Sequence, residues 1–536
     1  MLERGLVGMA LLLGFASCPQ VTLAQAAITA TEAAPEHLGK VHFPTSCSPQ
    51  AQPAFEKGVA LLHSFEYEEA RQSFAEVQTR DRNCAMAHWG KAMSLYHQLW
   101  DFPDAGKLAE GRKEIALANK LHPGSPPEKG FVKAAAAFYQ KNDQLSHLER
   151  KQAYRAELQK LRAQGPLAVE IDSFYALSLV SLAEEEEGQN MATLKKAIAV
   201  LDPLFQQYPD HPGVAHYLIH ATDRPELAEQ GLPAARRYAA MAPDSAHALH
   251  MPSHIFVRLG LWQDSIASNI AANNSAARAA EMHRAESHYQ THAMDFLSYS
   301  YLQSGQEAKA REVIEHANHV VGASEQDRAE HHAYLAARTA LELHRWQEAA
   351  SLSAPGVGKE WQDTTEWARA IGAARGGDRA AAEAAVKELT ESVEERESRA
   401  RRSGYNVSPE KATDLREAQA WLAFAEGKTD QALADLRAAA ERQDKNGSDS
   451  VIIPAREMLA DMLMELKRSP DALAEYKLVL QKAPNRFNAL LGAGRAAQAS
   501  GDTSAAQAFY AKLTQVCPAA ADRPELAEAK TVLTQK

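Results

Sequence analysis

Aromatic side chains make up only 7% of this chain, cysteine occurs 4 times, and no clear run of alternating apolar and polar residues is present. The missing alternation argues against exposed sheets. With abundant alanine, it favours helices that meet through small residues. Excess positive charge is also lacking. Lys and Arg number 58 against 69 Asp and Glu, a net charge of −11. No basic stripe is available to neutralise phosphates, so no nucleic-acid partner is expected. The chain has no Gly-x-Ser-x-Gly, no phosphate loop, no Gly-x-Gly-x-x-Gly after a strand and no His-Glu-x-x-His. No catalytic residue is therefore assigned, and an enzymatic role would have to be metal-dependent. Histidine is absent from the 192 residues that follow His344, whereas 14 of the 21 histidines lie between His211 and His344.

Long apolar runs are missing too, apart from Leu6 to Phe15 near the start, which is too short to span a bilayer. With Arg4 before it and Ala24-Gln25-Ala26 after it, residues 1–26 read as a secretory signal peptide cut after Ala26. Cys18 after Phe15-Ala16-Ser17 would be the lipoprotein alternative, which the bulky Phe15 fits poorly. The expected location is the periplasm or the outside of the cell, with no transmembrane segment in the mature chain. Three cysteines remain there, and an oxidising compartment makes a Cys47–Cys84 disulfide the expected pairing, with Cys517 left as a buried thiol.

At 536 residues the chain exceeds what one compact core supports, so several domains or a repeat array are expected. Ala472, Tyr476 and Pro484 recur as Ala506, Tyr510 and Pro518, each 34 residues on. Gly58, Leu61, Tyr67, Ala70 and Phe74 give the same small-then-aromatic order near the N-terminus. This pattern resembles the tetratricopeptide repeat. The resemblance implies an all-α fold, a right-handed α-α superhelix of antiparallel helix pairs, and a protein or peptide partner held in a concave groove. Along the chain, 27–50 reads as a leader segment packed on the first repeat, and 51–208 as repeats with long connections. Residues 209–400 form a histidine-rich centre, and 401–453 a repeat with irregular connections. Two well-formed units fill 454–518, and a capping helix 519–536. Ala85 to Gly90, His-Pro-Gly-Val-Ala-His from His211 and His-Met-Pro-Ser-His-Ile-Phe from His250 further resemble a bacterial exported group of such repeat proteins, one marked by sequence rather than by a reaction.

One pattern in the centre is written twice. Pro209-Asp210 precedes His216 and His220, and Pro243-Asp244 precedes His250 and His254, again 34 residues apart. A spacing of four puts two imidazoles on one helix face. Adjacent helices about 8–10 Å apart would then bring two pairs toward one ion. His247, His292 and Asp295 fall on comparable faces, and Asp223 and Glu286 are placed to orient imidazoles. Such a set suits a divalent transition metal (zinc, copper, iron or nickel) rather than calcium. A polar groove for an anionic ligand or acidic peptide, and plain packing, remain the other two readings. Pro252 is expected to break the helix that carries the second pair.

Overall fold

The computed structural model describes residues 36–100, 102–139, 145–162, 168–185, 191–282, 287–358, 361–403, 409–446 and 450–534. The expected signal peptide, its cut after Ala26, the Cys18 alternative and Glu286 lie outside the described residues. Among the described residues all regular structure is helical, and consecutive helices pack as antiparallel pairs. None of these helices is long and apolar enough to cross a membrane.

The pairing follows from where small residues sit. In the first pair, Gln52–His63 and Tyr67–Arg80, the connection turns at Phe65 with φ 57°. Phe74 then fills the space between this pair and the next. Cβ atoms added at Gly58 and Gly90 would lie 2.8 and 2.3 Å from its ring. Tyr476 and Tyr510 repeat the arrangement near the C-terminus, against Gly492 and Gly494 on helix Phe487–Ala499. A large aromatic ring opposite a missing side chain is thus the unit of packing, and the 34-residue period of alanine, tyrosine and proline is its sequence trace.

Residues 36–50 form no helix, and Phe43 buries itself against Phe55, Trp89 and Phe131 with ring centroids 5.0–5.8 Å apart. The same segment reaches the doubled Pro-Asp turns. Lys40 N donates to Asp210 O at 2.9 Å, and His37 N to Asp244 Oδ2 at 2.6 Å. Cys47 and Cys84 are joined by a disulfide, which ties this segment to the start of helix Ala85–Met93. Cys517 remains a free thiol.

An array of repeats is expected to touch only its neighbours. This chain departs from that, because its C-terminal units return to the centre. Trp262 Nε1 donates to Asn485 O at 3.0 Å, and Asn485 Nδ2 to Gly260 O at 3.1 Å. Gly260 has φ +66°, and a Cβ there would meet Pro484 O at 2.1 Å, so the approach needs glycine. Beside it the buried Arg486 guanidinium donates to Glu457 (2.7 and 2.8 Å), to Glu342 (3.0 Å) and to the Tyr299 hydroxyl (3.0 Å). The Asp522 carboxylate accepts from the backbone of Glu307 and Ala308 at the start of helix Glu307–Ala317. The return contact thus joins the last repeats to residues 260–342.

Candidate metal centres

Helix Pro212–Thr222 starts with proline in its first turn, and the His211 ring caps it, Nδ1 accepting from Val214 N at 3.3 Å. His216 and His220 follow one turn apart. The His216 Nδ1–H donates to His63 O at 2.6 Å, at the end of helix Gln52–His63, where a carbonyl has no partner within its own helix. With its proton on Nδ1, His216 turns an Nε2 lone pair inward. Nε2 of His220 lies 3.1 Å from it and Nε2 of His247 3.2 Å. The four ligands expected as two pairs on one ion are therefore arranged differently: His216 and His220 are completed by His247 from the next unit.

The second group has the same design. Pro252 splits its helix into Ala246–His250 and Pro252–Arg258, and Ser245 caps the first piece. The break leaves His250 and His254 with Nε2 atoms 3.0 Å apart. His250 Nδ1 donates to Asn269 Oδ1 at 2.7 Å, and Asn269 Nδ2 donates to Ser265 O at 2.8 Å, which fixes which amide atom is the acceptor. His254 Nδ1 donates to Asp223 Oδ2 at 2.8 Å, while Arg258 Nε holds Asp223 Oδ1 at 2.8 Å. His292, from helix His288–Gln303, is the third member. In each group one nitrogen from each ring lies within 4.8 Å of the other two.

Metal–nitrogen bonds of about 2.0–2.1 Å at tetrahedral angles put nitrogens roughly 3.3–3.4 Å apart. The observed 3.0–3.2 Å separations are close to that edge. The hydrogen bonds that hold Nδ1 of His216, His250 and His254 are those that orient metal-ligating imidazoles. Burial pushes His216 and His292 down to about 3, and His220, His247 and His250 well below the usual imidazole value. These rings are neutral at pH 7, which is the ligating form. Around them, Phe65 lies 4.4 Å from His216 and Phe296 4.5 Å from His254, ring centre to ring centre, and Trp100 packs on His220 and His247.

A third cluster, His63, Glu170 and His211, has no counterpart in the sequence reading. Its nitrogens all have partners other than histidine. His63 Nε2 and His211 Nε2 donate to the Glu170 carboxylate at 2.8 and 3.0 Å, and His63 Nδ1 accepts from the Tyr217 hydroxyl at 2.8 Å. Burial alone would raise the Glu170 carboxyl, but the two imidazoles hold it down at about 2. This is a closed hydrogen-bond network that supports His63 O, and hence His216, from behind. Asp295 stands apart from both histidine groups. It faces His331 at 3.6 Å, and burial pushes its carboxyl up to about 8. Burial is uneven: His216, His247 and His250 are buried and His220 and His254 half-buried, whereas His292 keeps contact with solvent at the edge of the second group.

No family model matches the chain, and no curated protein matches it. Among solved structures, yeast Tom70 aligns at 11% identity over 91% of this chain and 96% of that one, with a TM-score of 0.31. A tetratricopeptide repeat protein from Parabacteroides merdae aligns at 14% identity over 54% of this chain and 97% of its own, with a TM-score of 0.30. Human IFIT1, solved with PPP-AAAA, aligns at 13% identity over 85% of this chain and 94% of its own, with a TM-score of 0.36. Likenesses at these scores carry no argument. The tetratricopeptide-like architecture rests on the helix pairs themselves.

Proposed function

We propose that this chain is an exported helical-repeat protein that binds a transition metal through His216, His220 and His247 and through His250, His254 and His292. One observation carries the reading. His250 and His254 both have Nδ1 committed as a donor, so two Nε2 lone pairs face each other at 3.0 Å. Two lone pairs at that distance repel unless a cation lies between them. A shared proton would satisfy two nitrogens, whereas a metal satisfies the third ring as well. An anionic ligand is the weaker reading, because neutral imidazoles offer it no charge. Export is supported by the signal-like residues 1–26 and by the Cys47–Cys84 disulfide. A protein or peptide dock on another face of the array is compatible with metal binding, and no reaction is assigned.

The test is metal content of untagged protein purified from its native compartment. At least one equivalent of zinc, copper or iron is expected, falling in a His216→Ala/His250→Ala variant whose helical circular dichroism matches the parent. Absence of metal, with no rise in melting temperature on adding zinc or copper, would overturn the reading, because a ligand of the native state must stabilise it by mass action.

A further inference from the structure

The two histidine groups are neighbours. Ring centroids of His220 and His254 lie 6.2 Å apart, and those of His247 and His250 6.0 Å apart. His247 and His250, three residues apart on the short helix Ala246–His250, belong to different groups: His247 joins His216 and His220, and His250 joins His254 and His292. Metals in both would lie side by side, with Phe65 and Tyr289 packed on His247 and Phe296 on His250. All six donors are neutral nitrogens, so the ions' own charge must be met from outside the ligand set. Little is available. Asp223 is already held by Arg258, and Glu66 accepts from His247 N and the Ser245 hydroxyl. Arg224 adds positive charge beside His220, and the Asp295 carboxyl, which burial pushes up to about 8, is uncharged at neutral pH.

We propose that the two groups form one binuclear site that takes two monovalent copper ions in preference to two divalent cations, an inference that rests on the metal reading above. Coulomb repulsion scales with the product of the charges. Two dications side by side therefore repel four times as strongly as two monocations, in surroundings where carboxylates are scarce and already partnered. Coordination number points the same way. Zinc in a closed protein site takes four ligands, and each group supplies three. Monovalent copper, a filled-shell ion without a need for a fourth donor, is complete with three imidazoles behind an aromatic wall.

The experiment is an anaerobic titration of the metal-free full-length chain, first with Cu(I) against a chromophoric Cu(I) chelator, then with Zn(II) against a zinc chelator. Two equivalents of Cu(I) are expected, with the second affinity within about tenfold of the first. For zinc, one equivalent is expected to bind tightly and a second on the order of a hundredfold more weakly. His216→Ala and His250→Ala should each lower the Cu(I) capacity from two to one. Asp223→Asn, which keeps every ligand, should weaken zinc binding more than Cu(I) binding, and it serves where a histidine variant fails to fold. Two zinc ions of equal affinity would overturn this inference and leave the metal reading standing, as would a Cu(I) capacity of one. No binding of either ion would remove both.

Discussion

Replacing Asn269 with alanine tests whether the outer hydrogen bonds set the site. Asn269 is fully buried on helix Trp262–Glu281, accepts from His250 Nδ1 at 2.7 Å, and donates to Ser265 O at 2.8 Å. In the metal-free protein the change removes two hydrogen bonds of about 1 kcal/mol each and strands a buried Nδ1–H at a further 1–3 kcal/mol, so stability should fall by about 3–5 kcal/mol. Metal affinity should fall separately. With no acceptor behind it, His250 is free to place its proton on either nitrogen, and losing such a partner costs roughly 10–100-fold in affinity. Asn269→Asp restores an acceptor at the same place and should recover most of the binding. The assay is chelator competition at neutral pH, read beside urea denaturation of the metal-free proteins. An Ala variant that loses stability but binds within about twofold of the parent would refute the argument that this bond aims the ring. So would an Asp variant that binds no better than the Ala variant.

Arg486→Met should destabilise the return contact by about 3–5 kcal/mol, because it leaves Glu342 and Glu457 buried without their guanidinium. The loss should grow at alkaline pH: burial holds Glu457 up at about 7 even with Arg486 opposing it, and without the guanidinium the carboxyl is raised further, so the variant's stability keeps falling with pH beyond the window in which the parent's falls. Urea midpoints that differ between parent and variant by the same amount at acidic and alkaline pH would contradict this. Gly260→Ala, with its Cβ driven toward Pro484 O, should speed hydrogen exchange in helix Phe487–Ala499, and unchanged exchange there would show that the approach carries no stability. Reducing the Cys47–Cys84 bond, which closes a loop of sequence separation 37, should cost up to about 4 kcal/mol locally, read as faster exchange in helix Gln52–His63.

How much of this was legible in advance depends on range. The helix pairs are written locally, in alanine, tyrosine and proline at a fixed period, because each ring packs against a small residue in its own or the adjacent unit. The pairs His216/His220 and His250/His254 are local for the same reason: four residues span one turn. Their third partners are not. Whether His247 sides with His250 or with His216 depends on how consecutive units superpose, and no spacing rule states that. His63, Glu170 and the Arg486 contact lie further still, joined to their partners across 107–187 residues by the way the array closes. Asn269 carries no motif; only an inward imidazole with its Nδ1–H directed at it reveals the role.

Local burial also explains why histidines here act differently from histidines on an open groove. An inner wall that stayed wet would let each imidazole take a proton near its ordinary value, and protons would compete with metal for every lone pair. Phe65, Trp100 and Phe296 remove that water, and the orphan carbonyl of His63, the Asn269 amide and the Asp223 carboxylate occupy the Nδ1 side. His216, His250 and His254 are then left with one inward lone pair each. The same dryness makes concentrated positive charge costly. The chamber is thus selective from both sides: it asks for a cation, because lone pairs face one another, and it penalises a high charge, because nothing ionised among the six ligands answers it.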